Sequence, residues 1–108
     1  MDIIAVPPMK GTDLAEIRQK SLLQILPETD DILVANEPIP AQVRKACLLA
    51  MSSTFRLKDI AAVAVLAGAP RDLNGQPFAI HVAASLISRA EEAGRVFKTE
   101  GCWLPPAV

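Results

Sequence analysis

Residues 76–104 read QPFAIHVAASLISRAEEAGRVFKTEGCWL, and this stretch decides the fold. From Gln76, with Pro77 tolerated in a first turn, Ala79, Val82, Ala83, Leu86, Ala90 and Ala93 recur mostly at spacings of three and four. That period lines up one face of an α-helix. His81, Ser85, Ser88, Arg89 and Glu92 fall on the opposite, polar face. Gly94 is the residue type that ends a helix in the left-handed conformation. Beyond it, Arg95 to Leu104 reads as two short strands around a turn at Thr99-Glu100-Gly101. The expectation is a helix that a glycine hands directly to a hairpin.

Working toward the N-terminus, Ala69 to Gly75 reads as a loop with Asn74-Gly75 as its turn signal. Before it, Ile60, Val63, Ala64 and Ala67 form the inward face of a helix, with Gly68 as its cap and Pro70 blocking continuation. Phe55-Arg56-Leu57 alternates over a length that suits a single β-bridge. After Pro40, the residues Val43, Ala46, Cys47 and Ala50 recur at helical spacing, and Leu48, Leu49 and Met51 widen that stripe. Val43, Cys47, Ile60, Val63, Leu86 and Trp103 are expected to be buried together.

The first third has its own texture. Thr12 or Asp13 caps a helix running to Leu26, with Glu16 spaced from Asp13 as in a capping box and Pro27 as the stop. Its apolar face is Leu14, Ile17, Leu22, Ile25 and Leu26. Ile32, Leu33 and Val34 form a short apolar run, and Asn36 to Pro40 reads as a stiff connector. Ile3, Ile4 and Val6, closed by Pro7-Pro8, read as an edge strand or extended arm. The natural division is 1–38, an N-terminal helical arm, and 39–108, a compact domain that would stay folded without residues 1–36.

A chain of 108 residues with 51% hydrophobic side chains has material for one core and not for two. Its longest apolar run, Ile60 to Pro70, is eleven residues, against the ~20 of a spanning helix, so no membrane partner is expected. Met1-Asp2 opens on an acid where a secretory signal carries basic residues, which makes a cytoplasmic location the expectation. Two cysteines, Cys47 and Cys102, and one histidine are too few for the usual structural zinc site. A phosphate loop, a nucleophile elbow and a nearby Cys–His pair are all missing from the sequence. Neither a cofactor, a metal nor an enzymatic activity is expected.

Charge is distributed unevenly. Residues 1–40 hold three basic against seven acidic side chains, and residues 41–108 hold eight basic against five acidic, within a total of −1. An acidic first third ahead of a basic remainder reads as two jobs on one chain.

The element order is helix, short strand, helix, turn, helix and hairpin, and the local texture adds to it. Phe55-Arg56-Leu57-Lys58-Asp59-Ile60-Ala61 resembles the entry to the second helix of winged helix-turn-helix DNA-binding domains. Ser88 to Val96 is similar to the end of their third helix, where glycine hands the chain to the wing, and Gly101-Cys102-Trp103-Leu104 to the returning wing strand. The resemblance covers about residues 39–106, with a longer link between the second and third helices than the ~3–4 residues common in such motifs. It implies a mainly α fold with a small β-hairpin, a winged helix-turn-helix carrying an N-terminal helical arm.

It also implies a partner, double-stranded DNA, whose major groove admits a helix. The third helix would then be the reading element. Asn74 and Gln76 carry the donor–acceptor pair that suits adenine, Arg89 the fork that suits guanine or phosphate, and His81 and Ser85 share the reading face. Backbone amides of Gln76 to Phe78 would meet a phosphate. Lys58, Arg71 and Lys98 would take phosphates from the second helix, the turn and the wing. Each has a plainer reading: solvated histidine, turn-forming asparagine, an Arg89–Glu92 pair within one helix. The N-terminal helix either covers the domain or joins two copies, and a homodimer matched to two half-sites is the favoured expectation. The function so implied is a small transcriptional regulator of plasmid or phage type. The competing one is a winged module that docks proteins without binding DNA.

Overall fold

The computed structural model describes residues 11–72, 74–75 and 77–105, with side chains from residue 14 onward. The Ile3-Ile4-Val6 arm and the Thr12/Asp13 cap side chains lie outside that description. The elements are α1 (Gly11–Leu23), a 3-10 turn (Leu26–Thr29), β1 (Leu33–Val34), β2 (Glu37–Pro38), α2 (Ala41–Ala50), α3 (Leu57–Ala67), α4 (Ala79–Glu92), β3 (Phe97–Thr99) and β4 (Cys102–Leu104). The architecture is mainly helical with small antiparallel hairpins. Among the described residues, no helix is long and apolar enough to cross a membrane.

The helices of the second region begin and end on local chemistry. At the start of α3 the Asp59 carboxylate accepts the Arg56 N–H at 2.9 Å, satisfying a donor the helix leaves open. Its far end turns on Gly68 at φ 95°, with Gly68 N–H donating to the Val65 carbonyl and Ala69 N–H to that of Ala64. The end of α4 repeats this at Gly94, φ 72°, with bonds to Glu91 and Ala90. Both are left-handed glycine closures of the kind that satisfy the last carbonyls.

One core joins the helices. Val43, Cys47, Ile60 and Leu86 are fully buried together, as expected, whereas Val63 and Trp103 are half-buried at its margin. The Cys47 thiol donates to the Ile60 carbonyl at 3.8 Å, and burial pushes its pKa up to about 12. β3 and β4 pair Phe97 with Leu104, Lys98 with Trp103 and Thr99 with Cys102. Phe55 makes the expected single bridge, exchanging both backbone hydrogen bonds with Trp103 at 3.1 and 2.8 Å, and the two rings stack at 5.7 Å. That bridge fastens the hairpin to the helices.

The structure departs from the sequence reading in three places. First, α4 begins at Ala79, not Gln76, because Phe78 N–H donates to the Pro70 carbonyl at 2.8 Å and Pro77 bridges Arg71, which ties the entry to the preceding link. Second, α1 ends at Leu23. A tighter 3-10 turn then restarts around Pro27, which lacks the N–H that a continuing helix would require. Third, the stretch read as a run and a connector is a hairpin, Leu33 opposite Pro38 and Val34 opposite Glu37, turned by Ala35 and Asn36 at φ 54° and 66°. Two positive φ values are what a two-residue hairpin turn of the right twist requires.

The buried cluster also runs across the junction at 38/39. Leu22, Ile25, Ile32, Val34 and Ile39 belong to the same buried cluster as the residues of α2, α3 and α4. Arg44 of α2 closes the junction from inside. Its Nε donates to the Ile39 carbonyl at 3.0 Å, and its Nη1 to the Leu26 carbonyl, Thr29 Oγ1 and Asp30 Oδ1 at 3.2, 2.9 and 2.7 Å. Thr29 is itself fully buried and donates to the Leu26 carbonyl.

Candidate nucleic-acid interface

The residues singled out from sequence gather around α4 in three groups. Ala79, Val82, Ala83, Leu86, Ile87 and Ala90 point into the core, which leaves Ile80, His81, Ala84, Ser88, Glu91 and Glu92 exposed along the outer face. One edge of that face meets the first third of the chain and the other meets the hairpin.

On the hairpin edge, Ser88, Ala84 and Glu91 line a cleft with Leu57, Ile87, Lys98 and Trp103. Lys98 Nζ sits 5.7 Å from the Trp103 ring centroid, a cation-over-ring arrangement that places its charge beside α4. The Trp103 indole N–H donates to Glu91 Oε1 at 3.1 Å and orients the ring. Lys58 is exposed in the first turn of α3, next to the cleft-lining Leu57.

A second group lies at the α3–α4 link. Arg71 and Asn74 line an open cleft with Ala35, Glu37, Asp72 and Phe78. Arg71 donates to the Gly75 carbonyl at 2.7 Å, and Asn74 N–H to Asp72 Oδ1 at 2.9 Å, so this asparagine serves the turn with its backbone while its side chain is exposed. Gln76 lies outside the described residues. Of the amides expected to meet a phosphate, the Phe78 N–H is spent on the Pro70 carbonyl.

The third group is the edge against the first third. His81 and Ser85 line a shallow cleft with Leu33, Val34, Ala35 and Phe78. Arg89, one turn further along, is held from outside α4. Its Nη1 donates to the Glu28 carbonyl and to Asp31 Oδ1, the latter at 2.9 Å, and its Nε lies 3.7 Å from Glu92. The Arg89 hydrogen bond holds the Asp31 carboxyl below its ordinary pKa, and that same bond raises Arg89. The residue assigned to reading a guanine is therefore engaged within the molecule, and the plainer Arg89–Glu92 pairing holds only as its weakest contact.

The structure brings Lys98 and the outer face of α4 together, and Arg71 with Asn74, in two separate clefts. The sequence reading missed Phe78, which walls both clefts beside the first third, and Trp103 as the support for Lys98. The Lys98–Trp103 pairing was available from hairpin register, since residues opposite each other in a strand pair share a face. Among the described residues, no three His, Cys, Asp or Glu side chains come together as metal ligands would. Compared with protein-family models, curated proteins and solved structures, the chain matches none.

Proposed function

We propose that this chain is a small duplex-DNA-binding protein of winged-helix type that acts as a transcriptional regulator. The observation that carries the reading is the outer face of α4, bare along His81, Ala84 and Ser88, with a lysine-bearing hairpin fastened beside it through the Phe55–Trp103 bridge. A helix with an uncovered face of small and polar side chains fits a major groove about 12 Å wide, and serine and histidine can hydrogen-bond to base edges or phosphates. Lys98 and Lys58 supply phosphate contacts on one side of that helix, and Arg71 on the other.

Few cations face the duplex, so one copy binds weakly, and two copies on two half-sites supply useful affinity. Ile17 of α1, 36% exposed while Leu22 and Ile25 of the same segment are buried, is the apolar side chain this segment leaves for such a pairing. Fluorescence anisotropy with a random-sequence duplex tests the reading. Binding is expected at ~50 mM salt and falls as salt rises, because phosphate contacts release counterions. Lys98→Ala lowers affinity for all sequences about equally and reduces the salt slope by about one.

The second reading, a protein-docking module, draws on the same helix. The single arginine of α4 is engaged internally, its Glu91 and Glu92 are exposed, and apolar Ile80 of α4 and Leu66 of the neighbouring α3 are 50% and 88% exposed. An absence of duplex binding at low salt selects it.

A further inference from the structure

We infer that the acidic turn at residues 26–31 is a built-in brake on the DNA face of α4, occupying Arg89 in the place of a phosphate. The inference rests on the DNA-binding reading and concerns the regulation of that same face. Arg89 is the one lysine or arginine in α4. Its guanidinium binds a backbone carbonyl and a carboxylate, the acceptor chemistry a phosphodiester presents to an arginine fork. The turn is gripped from two sides by two arginines of different character. Arg44, with an 11% exposed side chain, holds Leu26, Thr29 and Asp30 from within the core and fixes the position of the turn. Arg89 is 27% exposed and its partner Asp31 is 73% exposed, so that contact is open to competition from solvent, while the Arg44 bonds to the Ile39 carbonyl and Thr29 hydroxyl are buried.

The turn opposes DNA in two ways. It occupies the cation, and it places Glu28, Asp30 and Asp31, all exposed, where a phosphate backbone following that edge of α4 would pass. Removing the Asp31 charge while keeping its shape releases Arg89 and leaves the Arg44 anchor intact.

The test is duplex binding by the full chain, read by anisotropy with a 20-base-pair random duplex across a salt series. Asp31→Asn is compared with wild type, with Arg89→Gln, with the double variant, and with Glu16→Gln on exposed α1 as a charge-matched control. The expected result is about two- to fivefold tighter binding by Asp31→Asn, the range an exposed ion pair can return. Its salt slope is steeper, Glu16→Gln shows no comparable gain, and the gain disappears in the Arg89→Gln background. If wild type binds and Asp31→Asn binds identically, or keeps its gain without Arg89, the brake is overturned and DNA binding stands. If neither wild type nor Asp31→Asn binds duplex, the DNA reading falls and the brake falls with it.

Discussion

Residues 11–40 and residues 41–105 are folded by different means. The second region carries three helices of ten residues or more, with ends written in their own sequence, Asp59 at one start and Gly68 and Gly94 at two stops. In the first, α1 is followed only by one 3-10 turn and a hairpin of two-residue strands, and this region is organised from outside, by the shared core and by arginines of the second region. Arg44, Arg89 and Arg95 reach across to Asp30, Asp31 and Gln24. The acidic and basic regions thus complement each other within one molecule. Two cations of the basic region, Arg44 and Arg89, are paired with acidic residues of the first, and the charge left for a partner is smaller than the sequence balance implies.

The largest effect is expected from deletion of residues 1–36. It removes Leu22, Ile25, Ile32 and Val34 from the core, at ~1.5–3 kcal/mol for each buried side chain, against a total stability of ~5–15 kcal/mol for a typical domain. The remainder is expected to lose its cooperative melt by circular dichroism. A sharp transition in the truncated chain would mean the second region is self-sufficient. Next comes Leu86→Ala, at the fully buried centre of α4, expected to cost ~2–5 kcal/mol in denaturant melts through the cavity it opens. A loss below about half a kcal/mol lies far outside that range and would show that the α4 register is wrong.

Arg44→Met probes the junction between the two regions. It leaves the Ile39 carbonyl without its side-chain donor and reduces Leu26 and Thr29 to the hydrogen bond they make with each other, and one buried unsatisfied group costs about 1–3 kcal/mol. Chemical denaturation is expected to show a loss of at least that size, with the solvent-exposed Asp30 adding little. The smallest effect belongs to Asp31. Its carboxyl titrates below the ordinary 3.8 in the fold because it accepts a hydrogen bond from Arg89. A depressed folded pKa contributes stability that is fully present above the unfolded value and is lost as pH falls through the folded one. A wild-type melting curve followed from pH 6 to pH 2 should therefore lose a small increment below about pH 4 that Asp31→Asn does not show.

How much of this was legible depends on the range of the signals. The three-and-four spacing of α4, the glycine stops and the Phe55 bridge are local, and each stands where the sequence places it. The start of α4 was misread because a Phe78–Pro70 hydrogen bond competes with helix, and no neighbouring residue announces it. The β1–β2 hairpin was hidden because Ala35 takes a positive φ without the Asn-Gly or Asp-Gly pair that flags such turns. For the candidate site, the polar face of α4 and the hairpin lysine were readable from periodicity and register. The engagement of Arg89 was not, since its partner Asp31 lies 58 positions away in the chain. An arginine on a polar helical face looks free until the tertiary structure supplies its acceptor.

On the proposed reading, α4 is covered along the edge that meets residues 26–35 and offers its outer face, with the hairpin, to duplex DNA. Titrating isotope-labelled protein with duplex at low salt and following backbone amide resonances tests it most directly. The account predicts salt-reversible shifts at His81, Ala84, Ser88 and Lys98, with α2 unmoved. Amides that stay fixed throughout the titration, or shifts confined to surfaces away from α4 and the hairpin, would contradict it.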